Sequence, residues 1–278
     1  MLAIALSLAA CLGWGVSDFL GGLKSRQLPS LTVLIVANIF GTVLISAIVL
    51  LRGVPLPLHP QLLWAAGGGL SGLLAMLMLY RGFALGSMSI IAPLSASGIL
   101  LPVIWGLFLG ESLSLIKYLG IAAAVCGIIC AAREMDPFSH KKKLTRGLHL
   151  ALGAALGFGL FFIFMDRACE IDPYWAALIM RISYGLFPLF MIPFIRPSFR
   201  VDPSDLPGIA FIGIADALAG FSFALATTIG LLSVVSVVGS LYPAVTVILS
   251  TTLLHERQQA VQYLGVGLAL TGVVLLSL

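Results

Sequence analysis

Charge is what this sequence has least of. Asp, Glu, Lys and Arg make up 9% of the 278 residues, against 60% hydrophobic residues and a mean hydropathy of +1.13. That leaves too little polar surface to coat a soluble globule, so the chain belongs in a bilayer. Long hydrophilic stretches are nearly absent too; the single one is REMDPFSHKKKLTR at 133–146. The formal net charge of +4 sits in loops without a basic patch interleaved with aromatics, which excludes a nucleic-acid groove. There is no Gly-Lys-Ser/Thr phosphate loop, so ATP does not drive the protein directly. His59, His140, His149 and His255 fall in or beside predicted loops, no His-x-x-x-His spacing occurs, and no intramembrane carboxylates pair at helical spacing. A hydrolytic or metal-centred enzyme lacks its parts. The four cysteines, Cys11, Cys126, Cys130 and Cys169, lie in or at the edges of apolar segments, and only Cys126 and Cys130 share a helical face. They read as packing residues, without the further soft ligands a metal would need. No cofactor is implied. The run 2–23 has no basic region ahead of it, exceeds signal-peptide length and is followed by Lys24 and Arg26, so it reads as a retained first span.

What is present is apolar sequence in span-length pieces. A helix crossing about 30 Å of hydrocarbon needs about 20 residues. Cutting at charge, Pro and Gly/Ser clusters predicts an all-α membrane protein of ten spans: 2–23, 31–51, 62–83, 87–109, 114–132, 147–168, 174–196, 206–229, 232–254 and 260–278. The two halves echo each other. At a shift of 144, Gly13 and Gly15 fall on Gly157 and Gly159, Pro29 on Pro173, Gly41 on Gly185, Gly69 on Gly213, Gly86 on Gly230 and Ser89 on Ser233. At 145, Glu111 falls on Glu256, Tyr118 on Tyr263, Gly120 on Gly265 and Gly127 on Gly272. A register kept across five spans is a duplication: an N-terminal repeat at 1–132, a basic connecting loop at 133–146 and a C-terminal repeat at 147–278. Five is odd, so the second copy enters the membrane from the opposite side, the inverted-repeat plan of many secondary transporters.

Predicted loops after the odd-numbered spans carry Lys24, Arg26, Arg81, Arg133, Lys141, Lys142, Lys143, Arg146, Arg196, Arg200 and Arg257, eleven in all, against Arg52, Lys117 and Arg167 on the other side. By the positive-inside rule the 133–146 loop is cytoplasmic and both termini are external.

Ten spans in two halves, Gly13-Trp14-Gly15 echoed by Gly157-Phe158-Gly159, and Leu109-Gly110-Glu111 echoed by Leu254-His255-Glu256 together resemble the EamA-type transporters of the drug/metabolite transporter superfamily. The resemblance covers nearly the whole chain. It implies movement of small metabolites, often amino acids, drugs or sugars, across a plasma membrane, and it implies cytoplasmic termini, the reverse of the charge count. Asp18 stands where many relatives carry a neutral polar residue, so no family role transfers to it.

A charge near the bilayer centre costs about 2.5–3.5 kcal/mol on insertion scales, and is kept where it faces protein interior or water. Three residues qualify. Asp216, near the middle of its span with Gly213, Gly220 and Phe223 at helical spacing, reads as a proton- or cation-responsive site. Arg181, with Tyr184 and Pro188 on its face, reads as counter-charge for a substrate anion or an aspartate. The alternative is a structural Arg181–Asp216 pair. Asp18 shares a stripe with Ser7, Cys11 and Trp14, near enough the predicted cytoplasmic face for either a binding or a helix-end role. Asn38, Thr42 and Ser46 form one polar stripe and Tyr242, Thr246 and Ser250 another; each could line a cavity or hold helices together. Trp14, Tyr80, Trp105 and Tyr184 are candidates for stacking on a ligand, against packing or interface anchoring. Pro93, Pro102, Pro188, Pro193 and Pro243 each remove a helical hydrogen bond and predict kinks. Glu111 and Glu256, in short turns ahead of the fifth and tenth spans, are expected to favour helix N-termini.

The sequence thus points to a secondary carrier for a small molecule (amino acid-like, nucleoside, sugar or amphipathic cation), with a coupling proton or cation as possible partner and membrane lipids around it. An intramembrane lipid enzyme and a channel are the other classes weighed.

Overall fold

A computed structural model describes residues 1–85, 88–111, 113–131, 141–195, 201–254 and 260–277. Among these there is no β-strand. The helices in chain order are α1 (Leu2–Ser25), α2 (Ser30–Arg52), α3 (Leu63–Leu85), α4 (Met88–Ala96), α5 (Leu100–Phe108), α6 (Leu115–Ala131), α7 (Lys141–Cys169), α8 (Pro173–Ile195), α9 (Leu206–Thr227), α10 (Leu232–Gly239), α11 (Tyr242–Leu253) and α12 (Ala260–Ser277), with 3-10 turns at Pro60–Leu62 and Ser97–Ile99. Six described segments are long and apolar enough to cross a membrane: Leu2–Ser25, Ser30–Arg52, Pro60–Leu85, His149–Cys169, Leu206–Thr227 and Leu232–Leu253. Leu94–Phe108 and Leu115–Gly127 are shorter apolar helices. Ile39, Val43, Leu50, Leu119 and Leu264 point outward on these surfaces, where lipid rather than water accommodates them.

One expectation needs correction. The basic connector is not loop throughout: α7 begins at Lys141, so 141–146 is helical, as suits a Lys/Leu/Thr/Arg run with no Gly or Pro before Gly147. Residues 133–140 lie outside the described residues, as do Arg196, Arg200, His255, Glu256 and Arg257. The segments expected as spans at 87–109 and 232–254 carry the interruptions that their prolines predict, the first at Ser97–Ile99 and the second at Ser240 and Leu241, and Leu232–Leu253 is still long and apolar enough to cross as one span. Pro102 and Pro243 explain the breaks, each lying within three positions of the interruption and lacking an amide to donate back across it.

The halves interlock by swapping neighbours. A Cβ built on Gly13 of α1 would lie 2.8 Å from Ala219 Cβ and 3.0 Å from Ala215 O of α9; one on Gly157 of α7 would lie 2.9 Å from both Ala75 Cβ and Ser71 O of α3. Both partners sit 144 positions from their counterparts. Likewise a Cβ on Gly15 would lie 2.7 Å from Tyr242 O and against Val245, and one on Gly159 2.6 Å from Gly98 O and against Leu101. Reciprocal contacts of this kind are the mark of a two-fold axis relating the repeats. Glycine is needed here because any side chain would push the backbones apart.

Polar contacts tie the helix ends. Asp172 caps α8 by accepting from Tyr174 N (2.9 Å) and Trp175 N (3.0 Å) ahead of Pro173. It also pairs with Arg52 (2.6 Å), whose guanidinium lies over the Tyr174 ring at 4.1 Å. At the other end Lys24 of α1 meets Asp205 ahead of α9 at 2.5 Å. Glu111 does cap a helix, but not the one that follows it: its two oxygens accept from Leu232 N (2.7 Å) and Ser233 N (3.2 Å), the start of α10 in the opposite repeat.

Candidate functional site: a cavity on the internal two-fold axis

The swapped packing leaves a central cavity of about 50 Å³. A water needs about 10–15 Å³ on this measure, so the space holds a few waters or a small ligand group. α1 contributes Trp14 and Asp18, α3 Gly72 and Met76, α7 Phe158, Phe161 and Phe162. α8 adds Met180, Arg181 and Tyr184, α9 adds Asp216 and Gly220, and α11 adds Tyr242. Four pairs in this lining are repeat counterparts 144 apart: Trp14 with Phe158, Asp18 with Phe162, Gly72 with Asp216, and Met76 with Gly220. The cavity therefore lies on the pseudo-symmetry axis, yet its chemistry is one-sided. The counterparts of Asp18, Asp216 and Arg181 are Phe162, Gly72 and Ala37.

Arg181 Nη1 contacts Asp216 Oδ2 at 2.7 Å, and the Arg181 side chain is 4% exposed against 27% for Asp216. Small residues make room for the guanidinium: a Cβ on Gly41 would lie 3.2 Å from Nη1 and one on Gly220 3.6 Å from Nη2. Asn38 Nδ2 donates to Arg181 O at 3.2 Å, while Asn38 Oδ1 is buried without a partner. Asn38 lines not the main cavity but a small annex beside it, together with Leu34, Tyr80 and Ile212; Met76, Arg181, Tyr184 and Asp216 border both spaces.

Of the residues singled out from sequence, Asp216, Arg181, Asp18, Tyr184, Tyr242 and Trp14 come together around one cavity, with Asn38 adjoining. Asp18 is 3% exposed, so it is an interior carboxylate rather than a solvated helix end. Trp105 does not line the cavity; it stacks on Phe108 at 6.4 Å. Tyr242 stands at the break between α10 and α11. Its hydroxyl is 3.1 Å from Ser95 Oγ of the other broken span, and its ring meets Phe158 edge-on at 6.0 Å. Thr246 serves as glue, donating to Gly15 O of α1 at 3.2 Å, whereas Ser250 donates within its own helix, to Val247 O.

Sequence reasoning missed the apolar wall of Met76, Phe158, Phe161, Phe162 and Met180. The signal was available, since Phe158 and Phe162 occupy the repeat positions of Trp14 and Asp18. Trp14, Phe161, Phe162 and Phe223 form a ring cluster, with Phe162 and Phe223 centroids 4.9 Å apart and Trp14 and Phe223 5.6 Å apart. One turn beyond it on α7 and α9, Asp166, Cys169, Glu170, Thr227 and Thr228 border a wider pocket of about 430 Å³. Among the described residues no three His, Cys, Asp or Glu side chains gather as a metal would require.

The model of the EamA-like transporter family matches residues 1–133 and again 145–278. The chain belongs to the EamA-like transporter family. That family is part of the drug/metabolite transporter superfamily, and its twofold match agrees with the repeats packed around the cavity. No curated protein matches this EamA-family chain. A solved crystal structure is similar to it in fold, with a TM-score of 0.80 at 20% identity over 99% of this chain and 98% of that one.

Proposed function

We propose that this EamA-family protein is a secondary carrier that moves a small molecule across the plasma membrane through the axial cavity. In this reading it spans the membrane ten times, with the 133–146 segment in the cytoplasm and both termini outside. The observation that supports it is the placement of Asp18, Arg181 and Asp216, the charges singled out as deepest in their predicted spans, around one space lined by both repeats. Charges are kept at such depth where they face a substrate or ion pathway. Binding sites at the repeat interface, flanked by broken helices in corresponding positions, are the pattern of carriers built from inverted repeats.

Rocking of one repeat against the other then exposes the cavity alternately. A proton or cation taken up by the carboxylates couples that motion to a gradient. The test is to find ligands by thermal shift, since a ligand of the folded state stabilises it, and to follow them in proteoliposomes. Counterflow and gradient-driven uptake are expected for the wild type and loss of both for Asp216→Asn. Unchanged gradient-driven uptake by that variant would remove Asp216 from the coupling role.

A further inference from the structure

The charges of the cavity do not balance. Arg181 is committed to Asp216 at 2.7 Å. Asp18 lines the same cavity, is 3% exposed, and has neither a hydrogen-bond donor nor a cation against it among the described residues. With both aspartates ionised the site carries one net negative charge. An unpaired buried charge is costly, and it is relieved by a bound proton or by a ligand that brings one positive charge in the proton's place. An anion would take the site to two negative charges, and a zwitterion would leave the deficit as it stands. A bare metal cation would want about six oxygen ligands, whereas the rest of the wall is largely Trp, Phe and Met.

The wall also says what should carry the charge. Trp14 lies one turn before Asp18 on α1, and the Phe158 and Phe162 rings complete a π-rich surface suited to a cation with an apolar body. Because the repeat counterpart of Asp18 is Phe162, the axial site has a charged side and an apolar side. It therefore selects an amphipathic ligand and fixes its direction.

We propose that the cavity is a binding site for a small organic monocation, its ammonium group on Asp18 and its apolar body against Trp14, Phe158 and Phe162. The proposal rests on the carrier reading for its purpose but not for its chemistry, so the two are tested apart. The probes are benzylammonium, benzyl alcohol and benzoate, which share a ring and differ in charge, titrated calorimetrically into purified full-length protein in nanodiscs. Benzylammonium is expected to bind at least about 10-fold more tightly than either analogue, and Asp18→Asn to weaken it by about 10- to 100-fold, the range of one charge-assisted hydrogen bond. Asp18→Glu should retain the preference. Trp14→Leu should weaken benzylammonium with Asp18 intact, a readout that stands even if Asp18→Asn fails to fold. Equal binding of benzoate or benzyl alcohol, or unchanged binding in Trp14→Leu and a folded Asp18→Asn, overturns the proposal. Benzylammonium that binds but shows no counterflow would uphold the site and sink the carrier reading; counterflow of benzoate without benzylammonium binding would do the reverse.

Discussion

Neutralising Asp216 tests how the charged side of the cavity is held. At 2.7 Å and an effective dielectric constant of about 20, the Arg181–Asp216 attraction is about 6 kcal/mol gross. Asp216→Asn removes the charge but keeps a hydrogen-bond acceptor, and the partly exposed cavity lets a few waters approach. The net loss should therefore fall near the lower end of the roughly 3–5 kcal/mol seen when one partner of a buried pair is removed. At about 2–4 °C per kcal/mol for chains of about 150–250 residues, the melting midpoint in detergent should drop by about 6–12 °C. The paired replacement Arg181→Met with Asp216→Leu is expected to recover most of that loss, since apolar residues replace buried ion pairs at little or no cost, while transport stays absent. A folded Asp216→Asn with an unchanged midpoint would refute the buried pair; a double variant that still transports would reduce the pair to a structural tie.

Asp18→Asn should move stability the other way: losing an unpaired buried carboxylate is expected to leave the ligand-free midpoint unchanged or higher while transport is lost, and a stability loss of more than about 1 kcal/mol would point to a missed partner. Glu111→Gln should cost about 1 kcal/mol by weakening a charged cap on α10, read as a lower melting midpoint with ligand affinity intact. Gly213→Ala would overlap the Ala37 carbonyl oxygen and separate α2 from α9 one turn from Asp216, so expression and activity should both collapse. Phe223→Ala should cost about 3–5 kcal/mol of stability, read as a lower melting midpoint, and, by thinning the ring cluster beside the cavity, allow downhill leak of substrate in proteoliposomes.

The parts of this fold readable from sequence were those set by local periodicity and by the repeat register. The pairing of Gly13 with Gly157 and of Gly15 with Gly159 in sequence became two matched sets of helix contacts, because a site relation in a duplicated chain is copied with the chain. The charged trio was readable because burying charge in hydrocarbon is expensive anywhere. The depth of Asp18 was not, since it depends on which helix covers α1. Nor was the target of Glu111: a turn carboxylate can reach any helix N-terminus nearby, and only tertiary packing brings α10 within 2.7 Å. The apolar wall escaped notice because phenylalanines in a membrane span look alike until symmetry places Phe158 and Phe162 opposite Trp14 and Asp18.

Accessibility of the cavity tests the carrier mechanism most directly. Met76 borders both the main cavity and its annex, so a single cysteine there, with the four native cysteines replaced, can be offered a membrane-impermeant maleimide from one side and then the other of sealed vesicles. Alternating exposure predicts modification from each side, altered in rate by bound ligand, while an entrapped dye of the maleimide's size stays in. Modification from one side alone, or escape of the dye, would contradict it.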